Sequence, residues 1–185
     1  MNSYTIYTDG SCKGVDERHG GWSAIICNES GEIIKELYGG FTHTTSPRME
    51  IRGVLEGLKA IKDPSIITVV SDSQYVVNTI NDNWIGRIIE NPESFSNTDL
   101  WFEMVQLLQY HKVTMIWTKG HADNEMNNRA DRLAQFVAKA LNLPKDEYIN
   151  NSKETREPLV SELKTRWSNG FNTGQENGVV LYSLG

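Results

Sequence analysis

The chain is short of the residues that staple small proteins together or anchor them to membranes. It has two cysteines in 185 residues, Cys12 and Cys27. Their spacing fits no metal-binding pattern, and two are too few for a disulfide framework, so both are expected as reduced thiols. Five prolines leave no proline-rich linker. No stretch approaches the roughly 18 consecutive apolar residues of a membrane span. The N-terminal MNSYTIYTDG lacks the basic-then-apolar layout of a secretion signal. A cytoplasmic protein with no membrane partner is the expectation. Basic residues are also scarce, 18 Lys and Arg against 24 Asp and Glu, for a formal net charge of −6. A nucleic-acid binder working by phosphate neutralisation alone needs the opposite balance. That exclusion lapses if the acids hold divalent cations, which invert the local charge.

What is present reads as one domain of ordinary size with some excess length. Residues 4–8 alternate and are rich in β-formers, and Gly20-Gly21 opens a second strand over 22–27. "NESGE" at 28–32 has hairpin-turn composition and leads to a third strand over 33–41. In "TTSPRMEIRGVLEGLKAI" the period changes. Ser46 is the expected N-cap and Pro47 the first helical residue, and Ile51, Val54, Leu55, Leu58 and Ile61 make one apolar stripe. "IITVVS" at 66–71 is a strand buried on both faces, followed by a short helix over 73–81. Residues 82–99 read as irregular and acidic, with Arg87 the single basic residue. Leu100, Met104, Leu107 and Leu108 mark another helix, 113–119 a fifth strand, and Ala130, Leu133, Ala134, Val137, Ala138 and Leu141 a final helical stripe. The order predicts an α/β fold. Its five-stranded mixed sheet has strands 1–3 antiparallel and strands 4 and 5 parallel to strand 1, covered by helices.

Two aspartates, Asp9 and Asp72, end the first and fourth strands, where α/β sheets place their ligands. Taken singly, each acid has an ordinary account. A strand-end Asp starts a turn, Glu50 suits the positive end of a helix, and Asp131 flanks an apolar stripe. Taken with their neighbours they form four ordered blocks, "YTDGS", "TTSPRMEI", "VVSDSQYV" and "WTKGHADNEMNNRADRLA". These blocks resemble type 1 ribonuclease H, over about residues 4–141. The resemblance implies an endonuclease that cuts the RNA strand of RNA–DNA hybrids, leaves 3′-hydroxyl and 5′-phosphate ends, and clears primers and hybrids during replication. It implies that Asp9, Glu50, Asp72 and Asp131 hold two Mg²⁺ ions (or Mn²⁺), with Asp9 bridging them. His121 matches the family's mobile histidine, a proton carrier near neutral pH. Gly10, Ser11, Ser46, Gln74 and Asn127 fall where the family contacts the hybrid.

Some positions depart from that pattern. Ser46 and Pro47 stand where relatives often carry two asparagines, and Val15 or Asp16 replaces a third. Where many relatives have a basic protrusion, this chain has the acidic "WIGRIIENPESFSNTDLW", so that protrusion is expected to be missing, reduced, or not a DNA-binding surface. A catalytic domain over 1–141 is expected, with an extension over 142–185. The extension carries a short amphipathic helix near 155–168, marked by Leu159, Leu163 and Trp167, and a turn-rich tail. It is expected to pack on the domain, with a partner or nucleic acid as alternative contacts. Nothing in the sequence demands more than a monomer. Two other functions stay open, a non-catalytic hybrid-binding module and an integrase- or resolvase-like DNA nuclease of the same fold. The complete set of acids with His121 favours the hybrid nuclease.

Overall fold

Period-two alternation builds one half of the sheet. β1 (Ser3–Lys13), β2 (His19–Cys27) and β3 (Ile33–Thr42) form an antiparallel meander. At the β2–β3 turn the Asn28 carboxamide oxygen accepts the N–H groups of Ser30 at 3.0 Å and Glu32 at 2.9 Å. Gly31 closes that turn at φ +82°, a conformation that costs glycine nothing. The structure, a computed structural model, describes residues 1–15, 17–120 and 124–147.

The other half is parallel. β4 (Ile66–Ser71) pairs with β1 and β5 (Lys112–Trp117) with β4, giving the order β3-β2-β1-β4-β5. The crossovers are α1 (Ser46–Ala60) before β4, and α2 (Gln74–Asn81), α3 (Trp84–Glu90) and α4 (Thr98–Tyr110) before β5; α5 (Glu125–Ala138) follows β5. This is the five-stranded mixed sheet expected from the order of elements. Alternation assigns each strand residue to a layer. Ile6, Ala24, Ile26 and Val69 pack against Ile51, Val54 and Leu55 of α1 and Trp101 and Met104 of α4. On the opposite face Ile25 and Cys27 meet Ala130 of α5, with Tyr7 and Leu133 at the margin. Among the described residues, no helix is long and apolar enough to cross a membrane.

Four details differ from the sequence reading. Thr45, not Ser46, caps α1: its hydroxyl accepts the Arg48 N–H at 3.4 Å, so Ser46 is already helical and Glu50 lies beyond the first turn. The stretch read as irregular contains α3, whose Ile85, Ile88 and Ile89 are buried in the main core at helical spacing. The acidic residues around them hid that stripe. α5 stops at Ala138, and Leu141 is 85% exposed, outside the stripe it was assigned to. Finally, β1 runs on to Lys13 against β2, because its antiparallel pairing outlasts the parallel one, so Asp9 lies inside the strand and not at its end. Residues 142–147 lie against the sheet: Thr42 donates to the Pro144 carbonyl and accepts from the Asp146 N–H, at 2.8 and 2.9 Å. The helix expected near 155–168 lies outside the described residues.

Candidate active site

The parallel ladder between β1 and β4 stops at Tyr7 opposite Val70, and just past that point the two layers and the crossover meet. Asp9 lies two residues beyond Tyr7 on the α5 face of the strand and is 4% exposed. Ser23 stands directly opposite Asp9 in β2. Fully buried, it donates its hydroxyl to the Ala130 carbonyl at 2.6 Å. That bond locks α5 one residue before Asp131, and the Asp131 carboxylate shares a hydrogen bond with Asp9. From the next helical turn, Gln135 donates its amide to both Asp131 oxygens, at 3.1 and 2.9 Å. Ser23 and Gln135 escaped the sequence reading. The signal for Ser23 was a lone hydroxyl inside an apolar strand.

Glu50 arrives from the other layer. Gly10 faces α1, and a Cβ there would sit 2.4 Å from the Glu50 backbone nitrogen. The missing side chain therefore lets α1 press against β1 and brings Glu50 up beside Asp9. Asp72 follows the last residue of β4, the parallel neighbour of β1. Its charge acts on both Asp9 and Glu50. The structure thus gathers the four acids that the sequence reading singled out, from four separate elements.

Their electrostatics lack positive charge. Burial, first, and then the Asp131 hydrogen bond and the charges of Asp72 and Asp131 push the Asp9 carboxyl up to about 9, against a smaller opposing pull from the Gly10 N–H. Burial also raises Glu50, with a hydrogen bond from Ser73 opposing it and the Asp72 charge adding to it.

The other candidates are placed as follows. Ser11 and Ser46 are half-buried, and Gln74 is exposed as the first residue of α2. Asn127 is buried, and its Oδ1 has no hydrogen-bond partner among the described residues. Gly10's small size is spent on α1 rather than kept open toward solvent. His121 lies outside the described residues.

Residues 1–139 match the RNase H family. The ribonuclease H of Caldicellulosiruptor saccharolyticus is 40% identical over 148 residues, covering 76% of this chain and 99% of that protein. The chain belongs to the ribonuclease H family. The ribonuclease H of Chlorobium limicola is 42% identical over 141 residues, 73% of this chain and 94% of its own. Among solved structures, LC9-RNase H1, described as a type 1 RNase H with the type 2 active-site motif, superposes with a TM-score of 0.67 at 27% identity. That match covers 74% of this chain and 72% of LC9-RNase H1. The match to ribonucleases H makes this chain a hydrolase of that type.

Ribonucleases H generally depend on divalent metal, and the donor set here fits one by its chemistry. Carboxylates are the ligands Mg²⁺ selects, and two of these four are raised above their ordinary range, by burial first and then by their acidic neighbours. Among the described residues, no three His, Cys, Asp or Glu groups form a ready-made cage. Mg²⁺ suits such a site, because it takes a few carboxylates and keeps part of its water shell.

Proposed function

We propose that this ribonuclease H cuts the RNA strand of RNA–DNA hybrids by two-metal hydrolysis at Asp9, Glu50, Asp72 and Asp131. The observation that carries the proposal is the gathering of four carboxylates from four separate elements around the buried Asp9. Such an arrangement stores repulsion that a cation relieves. The four acids would hold two Mg²⁺ ions, with Mn²⁺ as the alternative. When bound, these ions supply the charge that activates a water and stabilises the departing 3′ oxygen. In the balanced reaction, water oxygen bonds to phosphorus and the P–O3′ bond breaks. The 3′ oxygen takes a proton to become a hydroxyl, and the phosphate stays on the 5′ end.

The chain's own groups would do the rest. The unpartnered Asn127 Oδ1 suits a ribose 2′-hydroxyl, the group that separates RNA from DNA. Ser11, Ser46 and Gln74 offer further hydrogen bonds along the same side, with Gly10 between them. His121 would carry the proton to or from the leaving oxygen. The region of the expected protrusion turns its isoleucines into the core and leaves Trp84 and Arg87 outside, the guanidinium 6.0 Å from the ring centre. One cation on an acidic segment supports weak hybrid affinity. We assign the enzyme to primer and hybrid removal in the cytoplasm, as a monomer, with the extension beyond 147 available to a partner.

The test is cleavage of a labelled hybrid with Mg²⁺ and with EDTA, beside duplex RNA, duplex DNA and single-stranded RNA. Metal-dependent cutting of the hybrid's RNA alone is expected, with Asp72→Asn lowering kcat by about 10³-fold and the fold intact. Binding without cutting in either metal would make the chain a hybrid-binding module. Cutting of DNA would make it a DNA nuclease of this fold.

A further inference from the structure

We propose that Trp117 is a positioning residue for Asp72, its indole N–H fixing the peptide that carries that carboxylate. The inference rests on Asp72 belonging to the catalytic site described above.

β4 and β5 pair in register from Ile66 opposite Lys112 to Ser71 opposite Trp117. The last ladder bond runs from the Thr118 N–H to the Ser71 carbonyl at 2.9 Å. Asp72 is the first residue past that ladder, so the sheet no longer sets the plane of its peptide. There the Trp117 Nε1–H donates to the Asp72 carbonyl at 3.1 Å. A backbone carbonyl taken by a side chain fixes ψ of its own residue. With ψ of Asp72 fixed, its Cα–Cβ bond, and with it the carboxylate, is aimed.

The placement of the ring argues against simple core packing. Val113 and Met115, on the same face of β5, are buried, whereas Trp117 is 45% exposed at the strand's end. Its exposed edge leaves the ring free to turn its N–H toward the Asp72 carbonyl, a bond that packing of Val113 and Met115 does not require. A second contact closes on Asp72 from the same segment. A Cβ on Gly120 would lie 3.0 Å from the Asp72 Oδ2, so the glycine leaves the carboxylate the room it uses. Trp117 holds the carbonyl and Gly120 backs the carboxylate, three residues apart. Gly120 directly precedes His121 in the sequence, so one short segment sets the acid and leads into the proposed proton carrier.

Trp117→Phe keeps an aromatic ring and removes the N–H, and Gly120→Ala crowds the carboxylate. Both are compared with wild type by three readouts: calorimetric Mg²⁺ affinity without hybrid, kcat and KM on hybrid, and melting temperature. Each substitution is expected to weaken Mg²⁺ binding about 5- to 10-fold, the worth of one hydrogen bond. kcat at sub-saturating Mg²⁺ should fall by a similar factor and recover at high Mg²⁺. KM for hybrid should stay within about two-fold, because the ring is not used as a stacking platform. Unchanged Mg²⁺ affinity in both variants would overturn the proposal. So would a rise in KM alone, which marks a stacking role, or a lower melting temperature with wild-type Mg²⁺ affinity, which marks packing. The ¹⁵N shift of the Ser73 amide, measured without metal, separates this proposal from the nuclease reading. It should move in Trp117→Phe, and no movement would sink the clasp. Wild type that takes no Mg²⁺ and cuts no hybrid would sink the nuclease reading instead.

Discussion

Two residues apart on α1, the protein handles buried acids in opposite ways. Arg48 is fully buried and makes paired bonds to Asp99, both at 2.8 Å, and to Asp146, at 2.8 and 3.1 Å. The Thr44 hydroxyl adds a bond to Asp146 at 2.6 Å. Burial alone would raise the Asp146 carboxyl, but the Arg48 and Thr44 bonds and the Arg48 charge hold it below the usual range. At Glu50 and Asp9 the same burial meets no cation, and both carboxyls rise. One cluster is supplied with its positive charge by the fold. The other gains none from the described residues, and under the proposed function metal ions would supply it. Structural and catalytic acids are separated here by that difference, more than by burial or residue type.

The comparison breaks hardest at Arg48. Arg48→Ala strands two buried carboxylates and is expected to cost about 3–5 kcal/mol, read by urea unfolding. Adding Asp99→Asn and Asp146→Asn should return most of that loss, because the penalty lies in the uncompensated charge. If the triple variant is no more stable than the single one, the cluster is not a charge-balanced unit.

At the other cluster the sign reverses. Asp9 titrates near 3.8 when unfolded and about 9 when folded, so the folded state binds more protons between those values. This group's contribution therefore falls as pH rises through that window. Asp9→Asn removes the effect and should stabilise metal-free protein at pH 8 by roughly 2 kcal/mol, about 5 °C in Tm. The same substitution should abolish cleavage. Saturating Mg²⁺ should flatten the alkaline slope of the wild type and leave the variant unchanged. A wild-type Tm that does not fall between pH 6 and pH 9 without metal would count against the raised Asp9 carboxyl.

A smaller effect tests a buried base away from both clusters. His111 is buried, which lowers its affinity for a proton, an effect the nearby Leu58 and Ile61 carbonyls partly oppose, and its Nδ1 accepts the Ser65 N–H at 3.3 Å. Its folded value lies below the unfolded 6.5, so its contribution is present above pH 6.5 and is lost as pH falls below it. His111→Asn should flatten that acidic slope by about 1 kcal/mol or less in equilibrium unfolding.

The fold was legible because alternation and helical stripes are local signals. β1 to β5 and α1 could each be read from their own residues, and their order implied the sheet. Asp72 was legible from its place after β4, whereas Asp9 was read at a strand end and lies inside β1, because the residues after it look like a turn and only the pairing with β2 extends the strand. The supports of the site were not, because they are long-range pairings between residues with common local explanations. Ser23 and Ala130 are 107 positions apart, and Arg48 and Asp146 are 98 apart. α3 was missed because acidic and turn-forming neighbours outweighed three isoleucines. The α1 cap slipped by one residue because Thr45 and Ser46 are both good caps and only the folded backbone chooses between them.

The Arg48 pairing also bears on the order of events during synthesis. Asp99 leaves the ribosome well before Asp146, by about 2 to 10 seconds at ordinary elongation rates. Through that interval α1 carries a guanidinium with one of its two carboxylate partners still unmade. A nascent chain holding every strand and helix of the sheet would still lack its last counter-charge. The buried Arg48 cluster is therefore completed only when Asp146, past the end of α5, has been made.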